Sequence, residues 1–346
     1  MKIDHLSHSS LSALKISPQY FVKYKNKELN KSNKGFDLGS AIHCYILEQD
    51  QFATRYIVAD IPVVGGMMGI FLDAIIENEV FINSTVYDNT EDTPAEFVIN
   101  SIDELYESCY KKAGFKTPLA GVIKKLEKEE NQNYLDFLRK AKGKIILSAD
   151  DYEIVQHCTA SVASHAVAGN ICNTSELNNS EAEKEISWTY KGYPYIIKSI
   201  IDNLILDKEK KLVTIVDLKT TAKSVYNFIG AYSSYGYYRQ LAIYKLAVIA
   251  YLEKLGEDPL LYDLKSYIVT VQTTGLFECV VYEPDSLDLS IAIDEFESLL
   301  NRFKWHQDHN HWDYPMEYYN NNGVIKIKLS DDKISRIRET ENIQAY

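Results

Sequence analysis

The chain has 346 residues, of which 46% are hydrophobic, and a formal net charge of −12 at pH 7. This length and composition support a substantial core in one large domain or two smaller ones, and the acidic balance excludes a surface coated uniformly with phosphate-binding cations. Five widely spaced cysteines exclude a CxxC-type metal site, and the lack of a secretory signal or a long apolar span predicts a cytoplasmic protein with reduced thiols and no membrane contact.

The first 60 residues predict N-terminal helices. Serines followed by Leu11 and Leu14 indicate a short helix capped near Ser9, and Pro18 begins a second helical turn. After a lysine-rich loop, residues 39–48 predict a longer helix that carries His43 on an apolar face. A lone histidine in such a position is more often a satisfied core residue than a metal ligand.

Residues 61–147 predict a mainly helical insertion. Its Gly65-Gly66-Met67-Met68-Gly69 stretch lacks the lysine and the spacing of a phosphate-binding loop, so no phosphate site is expected there. Residues 148–305 begin with an amphipathic helix and form the main α/β segment. Residues 306–346 are a C-terminal extension in which His306, His309 and His311 are expected in a solvated loop rather than in a metal site.

The main segment alternates between strand and helix patterns. β-branched and aromatic residues between turn signals predict strands, and longer apolar periods predict helices. The strands are expected at 185–190, 193–206 and 211–220 as an antiparallel meander and at 264–283, and the helices at 237–255 and 285–305. This order predicts an α/β fold with a mixed central sheet flanked by helices.

Charged residues interrupt two of these apolar strands. Strand alternation puts Asp217 and Lys219 on the same face, and a short hairpin turn within residues 208–211 sets Asp202 directly opposite Asp217. Two carboxylates roughly 5 Å apart at Cβ repel each other unless a cation lies between them.

A divalent cation with oxygen ligands resolves that repulsion, and Mg²⁺, with Mn²⁺ able to substitute, suits carboxylates plus water. Lys219 beside the ion can orient or deprotonate an attacking water, or neutralise charge on a scissile phosphate. The alternative is a purely structural salt bridge in the hairpin between Lys219 and one of the aspartates.

Five blocks in order resemble the PD-(D/E)XK nuclease superfamily, in particular its RecB-like and RecE-like (exodeoxyribonuclease VIII) branch. Any one block alone is a weak signal, whereas the ordered set is specific, although it spans well under half of the chain. The blocks are LSHSSLSALKISPQYF (Leu6 to Phe21), GSAIHCYILE (Gly39 to Glu48), IID (Ile200 to Asp202), VDLKTT (Val216 to Thr221) and QLAIY (Gln240 to Tyr244).

The resemblance implies a role for each matching position and a restriction-endonuclease-like core. It makes Asp202, Asp217 and Lys219 the catalytic set, with His43 and the backbone carbonyl of Leu218 as further metal ligands. Gln240 and Tyr244, one helical turn apart, would support the site or touch DNA, and Glu185 matches an additional acidic ligand more loosely. Ile201 stands where the family motif has its proline, and the insertion at 61–147 has no counterpart.

The resemblance also implies an activity: Mg²⁺-dependent hydrolysis of DNA, by a 5′ to 3′ exonuclease acting on linear double-stranded ends in recombination or repair. It further implies a homo-oligomeric ring and a single-strand-annealing recombinase as partner. The alternatives are an endonuclease or a single-strand nuclease of the same fold, and a non-catalytic DNA-binding or assembly protein. The Asn-, Ile- and Lys-rich composition suggests an AT-rich, phage-like source.

Tyrosine is abundant, with 26 residues in the chain. Tyr232, Tyr235, Tyr237 and Tyr238 cluster just before and within the predicted helix at 237–255. Such rings can stack on unpaired bases, although most of the tyrosines are expected to serve packing.

Overall fold

A computed structural model describes residues 3–29, 34–83, 102–174 and 179–326; residues 327–346 of the C-terminal extension predicted at 306–346 lie outside them. The helices of these ranges are α1 (His8–Ile16), α2 (Pro18–Lys25), α3 (Lys34–Leu47), α4 (Gln49–Arg55), α5 (Gly66–Asn83), α6 (Ile102–Ala113), α7 (Leu119–Leu126), α8 (Glu129–Ala141), α9 (Ala149–Ser164), α10 (Ala168–Cys172), α11 (Phe228–Ser234), α12 (Tyr237–Lys254), α13 (Ser286–His309) and α14 (Met316–Asn320). The strands are β1 (Tyr56–Ala59), β2 (Ile145–Ser148), β3 (Ser180–Trp188), β4 (Ile197–Asp207), β5 (Leu212–Thr221), β6 (Asp263–Gln272) and β7 (Cys279–Tyr282).

The first two helices begin at serine caps. The Ser7 hydroxyl accepts from the backbone N–H of Ser10, and the Ser10 hydroxyl accepts from that of Ser7, which forms a capping box. At the start of α2 the Ser17 hydroxyl accepts from the backbone N–H of Tyr20, and Pro18 occupies the first helical position. The cap predicted near Ser9 therefore lies two residues earlier, because the reciprocal serine pair satisfies more of the free N–H groups.

The main sheet has the strand order β3-β4-β5-β6-β7. The pairs β3–β4 and β4–β5 are antiparallel, as the predicted meander requires, whereas β5 and β6 are parallel and connected through α11 and α12. The single strand expected at 264–283 is two antiparallel strands, β6 and β7, separated by a turn with Gly275 at φ 68°. The predicted mixed sheet is confirmed.

Helices cover both faces of this sheet. On one face, Leu14 of α1, Leu241 of α12 and Phe296 of α13 pack against the strands in one apolar cluster. On the other face, Ile42 of α3 and Val155 of α9 pack in a second cluster with Val216, Leu218, Val269 and Val271. The β4–β5–β6 region therefore lies between two helical layers.

The segment predicted as a helical insertion contains α5, α6, α7 and α8, which share a third apolar cluster around Phe71, Leu105 and Tyr134. Its last residues form β2, which pairs in parallel with β1. This short strand pair was not predicted from the sequence.

The interpretation of His306 as a residue of a solvated loop is wrong. Helix α13 extends to His309, and His306 is fully buried on it, where its ring stacks at 5.4 Å on Trp312. Its Nδ1 lies 2.5 Å from the carbonyl of His311. Among the helices that the structure describes, none combines the length and the apolar character needed to cross a membrane.

Candidate metal centre

The hairpin between β4 and β5 sets the register of the site. Asp207 pairs with Leu212 and Asn203 with Val216, so residues 208–211 form the connection, and the hairpin has the predicted register up to this pair. Asp202 and Asp217, which were expected directly opposite each other, lie one residue beyond the end of the ladder. The strands separate at this point, because the Asp202 carboxylate enters between them and accepts from the backbone N–H of Leu218 at 2.7 Å.

The regular alternation of side chains is interrupted beside Asp202. In β4, Ile201 and Leu204 belong to the same apolar cluster although they are three residues apart. In β3, Ala182 packs on the opposite cluster from Ile186, four residues later. Glu183 lies at the interruption with φ 48°, the left-handed region that residues other than glycine seldom adopt. The alternation of side chains between the two faces of the sheet is therefore out of step on either side of the acidic pair.

Asp217 is fully buried and incompletely satisfied. Its side chain is 0% exposed, and its Oδ1 has no hydrogen-bond donor among the described residues. The donor at Oδ2 is the Lys219 ammonium, whose Nζ lies 2.6 Å from Asp217 Oδ2 and 4.0 Å from Asp202 Oδ2. The salt bridge weighed as the structural alternative is thus present. One ammonium does not neutralise two buried carboxylates, however, and the unpaired Oδ1 fits an additional cation.

Helix α3 brings His43 to the same cluster. Its Nδ1 is 3.7 Å from Asp202 Oδ2. Burial, with a smaller contribution from the positive charge of Lys219, lowers the pKa of His43 to about 4. The imidazole is therefore neutral at pH 7, which is the form that binds metals.

Glu183 is the residue of this cluster that the sequence did not reveal. Single ligand atoms of His43, Glu183 and Asp202 all lie within 4.8 Å of one another. Glu183 is an exposed residue, but one of its carboxylate oxygens lies at the cluster. Burial of that carboxyl and repulsion from Asp202 raise its pKa to about 7. The structure does not bring Glu185 to the site, since its carboxylate forms an ion pair with Lys198 at 2.6 Å.

The remaining predicted residues surround the acidic cluster. The Leu218 carbonyl lies 3.4 Å from Lys219 Nζ. On α12, Gln240 donates from Nε2 to the hydroxyl of the buried Tyr244 at 2.7 Å. Both line a small cavity of about 250 Å³ that also contains Ser7 and His8 of the N-terminal segment. The charges of Asp217 and Asp202 add to burial in raising the pKa of Tyr244, so its hydroxyl lies near the acidic cluster. A supporting role for these two side chains stays a prediction.

An open pocket leads to the cluster from the side of α3. It has a volume of about 610 Å³, and the site residues on its wall are His43, Glu183 and Lys219. Arg55, held by Glu48 through two contacts of 2.6 and 2.9 Å, and Tyr237 complete the wall on either side. The acidic cluster is therefore accessible from solvent.

Burial dominates the electrostatics of the cluster. It raises the pKa of Asp217 to about 6 against the attraction of Lys219, and repulsion from Asp202 adds a smaller contribution. Burial also raises the pKa of Asp202, against the attraction of Lys219. Burial alone would lower the pKa of Lys219, but attraction to Asp217 and Asp202 outweighs it and holds that pKa above its usual value. Lys219 is thus an ammonium at neutral pH in the metal-free protein.

A neutral imidazole and three converging carboxyl groups form the donor set expected for Mg²⁺ or Mn²⁺. His43, Glu183 and Asp202, whose ligand atoms lie within 4.8 Å of one another, would hold the ion together with the neighbouring Asp217 carboxylate, and the Leu218 carbonyl would lie at its border. The fit is supported by Asp217 Oδ1, which has no donor in the described part of the chain.

These shifts predict how the stability of the metal-free protein depends on pH. A carboxyl group whose pKa is raised on folding stabilises the protein below its unfolded value of 3.8, and this contribution is lost as pH rises through its folded value of about 6. Between pH 4 and pH 7, we expect wild type to lose on the order of 2–3 kcal/mol relative to Asp217→Asn. Urea unfolding in EDTA at several pH values measures this. Parallel pH profiles for the two proteins would contradict the raised pKa.

The close contact between α3 and β5 gives a second prediction. A Cβ on Gly39 would lie 3.1 Å from Thr220 Oγ1, one helical turn before His43. Gly39→Ala would stabilise a free helix by about 1 kcal/mol. Here we expect a loss of about 1–2 kcal/mol from overpacking, together with weaker Mn²⁺ binding. Thr220→Ala removes the obstructing hydroxyl, so the double variant should recover part of the loss in urea unfolding. Strictly additive effects would refute the contact.

The chain matches a known protein family and aligns weakly with solved structures. A family model described as a PDDEXK-like domain of unknown function (DUF3799) matches residues 7–319. A solved structure from Eubacterium rectale, described as a candidate exonuclease, aligns with a TM-score of 0.36 and 12% identity over 67% of this chain and 85% of that chain. The structure of SSO0001 aligns with a TM-score of 0.25 and 19% identity, covering 43% of this chain and 67% of the other. The comparison with curated proteins gives no match.

The family model confirms the fold class and the superfamily that the five sequence blocks indicated. The RecE-like branch stays a prediction. The two solved structures align too weakly to add to either statement.

Proposed function

The chain belongs to the family of PDDEXK-like domains described as DUF3799, and we propose from this premise that it is a metal-dependent nuclease that hydrolyses DNA phosphodiesters. The observation that carries the proposal is the excess of buried carboxylates over cations: Asp217 and Asp202 share the single ammonium of Lys219, and Asp217 Oδ1 has no hydrogen-bond donor in the described ranges. A purely structural salt bridge would leave one of the two negative charges without a counter-ion, whereas a divalent cation would compensate it.

The acidic residues and the lysine of the site have different roles in this proposal. A divalent cation at this site would supply Lewis-acid polarisation of the phosphate and an acidified water. Asp202 is oriented for this by the Leu218 N–H at 2.7 Å. Asp217 holds the Lys219 ammonium at 2.6 Å, at the wall of the open pocket. That ammonium can neutralise charge that develops on the scissile phosphate or hold the attacking water in line.

Gln240 and Tyr244 on α12 position the acidic residues of the site. The buried Tyr244 hydroxyl accepts from Gln240, and negative charge from Asp217 and Asp202 raises its pKa further after burial has done so. Tyr244 is therefore neutral and acts in positioning rather than in proton transfer.

The finer assignment follows the RecE-like resemblance of the sequence blocks. We propose a 5′ to 3′ exonuclease in the cytoplasm that degrades linear double-stranded ends for recombination or repair, with Mg²⁺ as the physiological ion. A homo-oligomeric ring and a single-strand-annealing recombinase as partner belong to the same proposal.

Digestion of labelled DNA tests the activity. Linear duplex labelled at either the 5′ or the 3′ end and a covalently closed circle of the same sequence are incubated with the full-length protein and Mg²⁺, with an EDTA control. We expect early release of the 5′ label, an intact circle and no reaction in EDTA. Cleavage of the circle would indicate an endonuclease. Binding without hydrolysis in Mg²⁺ and in Mn²⁺ would indicate a DNA-binding or assembly protein.

A further inference from the structure

The pocket wall ends on one side in a pair of aromatic rings, Tyr235 and Tyr237, which we call the tyrosine ledge. Tyr237 lines the pocket, and its ring centre is 5.2 Å from Lys219 Nζ. The Tyr235 ring lies 5.8 Å from the Tyr237 ring and is 65% exposed. The two adjacent rings therefore extend from the proposed catalytic amine of Lys219 to the solvent-exposed surface.

The inner half of the ledge is fixed in place. The ring of Phe228 stacks on Tyr237 at 5.5 Å with an interplanar angle of 7°, and Tyr282 stacks on Phe228 at 5.6 Å. Between the two tyrosines, Gly236 adopts φ 68°, and a Cβ there would lie 2.8 Å from the guanidinium of the buried Arg239. Only glycine fits this turn between α11 and α12. The position of Tyr235, at the end of α11, is therefore fixed by the packing of the buried Arg239.

The outer half is open. No hydrogen bond of the Tyr235 hydroxyl is found in the described part of the chain, and its only ring contact there is with Tyr237. Exposing an aromatic ring of this size has a cost in water, which packing inside the chain does not offset. An apolar, flat ligand next to the pocket would offset it.

We propose that Tyr235 is a stacking platform for an unpaired nucleobase of the DNA strand whose phosphate lies at Lys219. This inference rests on the proposed nuclease function and adds a preference for ends with a single-stranded or frayed tail. Every base has a face that stacks on an aromatic ring, so the platform is insensitive to sequence. A paired base inside a duplex does not expose that face, and a blunt end must fray before it can use the platform.

The polar character of the wall beside the ledge fits a nucleic-acid strand better than an apolar protein segment. The wall carries two cations, Lys219 and Arg55, which pair with Asp217 and with Glu48. Phosphates that flank a stacked base would compete with these carboxylates for the two cations.

Fluorescence of 2-aminopurine tests the platform. The base is placed in a short single-stranded 5′ tail of a DNA duplex, and a blunt duplex of the same sequence serves for comparison. All proteins carry Asp217→Asn to suppress hydrolysis. We expect the tail base to be quenched on binding, and Tyr235→Ala to weaken binding of the tailed duplex by about 5- to 100-fold while it changes blunt-duplex binding less than about twofold.

Two controls separate stacking from folding. Tyr235→Phe keeps the ring and should keep the affinity and the quenching. Tyr314→Ala removes a 46% exposed tyrosine from the segment between α13 and α14 and should change neither. Unchanged binding of the tailed duplex by Tyr235→Ala, or an equal loss for blunt and tailed DNA, would overturn the platform and favour a protein partner at the ledge.

The stacking platform can be refuted without refuting the proposed nuclease function. A protein that degrades DNA but binds tailed ends equally well with and without the Tyr235 ring refutes the platform alone. A protein that neither binds nor degrades DNA refutes the nuclease assignment.

Discussion

Replacing Asp217 by asparagine should lower DNA hydrolysis by at least about 1000-fold, because several kcal/mol of transition-state stabilisation depend on the bound cation. Asparagine has the same shape, and its amide oxygen can still accept from Lys219 at the observed 2.6 Å. The fold should therefore persist, as circular dichroism would show. Isothermal titration with Mn²⁺ should report a large loss of affinity.

Asp207→Asn is the matched control for this substitution. Asp207 lies on the same hairpin, pairs with Lys210 at 2.8 Å and is remote from the pocket wall. Its replacement should leave hydrolysis and Mn²⁺ affinity close to wild type. Comparable losses in both variants would mean that the hairpin, and not the carboxylate of Asp217, is what activity requires.

Replacing Lys219 by methionine should separate chemistry from metal binding. We expect kcat to fall about 10²- to 10⁴-fold, in the range of a lost proton-transfer or charge-stabilising group. Mn²⁺ affinity should be kept or improved, because the ammonium that competes with the cation for Asp217 and Asp202 is removed. Steady-state kinetics and titration calorimetry on the same preparation measure both quantities.

Lys223→Met provides the comparison for Lys219→Met. Lys223 lies just beyond the end of β5 and is exposed. This variant should retain kcat. If Lys219→Met lost activity and Mn²⁺ affinity in proportion, Lys219 would be a structural counter-ion for the carboxylates, as the salt-bridge alternative holds.

The hairpin that carries Asp202 and Asp217 could be predicted from sequence because its determinants are local. Two apolar strands and the short polar connection at 208–211 between them fix the register, and the structure has that register up to the pair of Asn203 and Val216. Helix α12 was predicted for the same reason, since its start at the Tyr237 turn and its end near Gly256 are encoded within a few residues.

Glu183 could not be found in this way. Strand patterns assume a period of two, and this period is broken at Glu183, where φ is 48°. The break depends on packing of β3 and β4 against different helical layers, which involves residues far apart in the chain. The family resemblance pointed, as a looser match, to Glu185 two positions later, which pairs with Lys198.

Tertiary packing also explains the differences at helix and strand ends. The polar sequence around His306 resembles a loop, yet the ring is buried because Trp312 folds back onto it. The break between β6 and β7 likewise depends on a left-handed glycine at position 275, inside a run of residues that all favour strands. Local propensity does not contain this information.

Anomalous scattering from crystals soaked in Mn²⁺ would locate the ion. We expect one difference peak at bonding distance from carboxylate oxygens of Asp202 and Asp217 and from a ring nitrogen of His43, with Lys219 Nζ displaced from the 2.6 Å contact that it makes with Asp217 in the metal-free protein. A peak elsewhere on the chain, or none at Mn²⁺ concentrations that support DNA hydrolysis, would rule out this metal site.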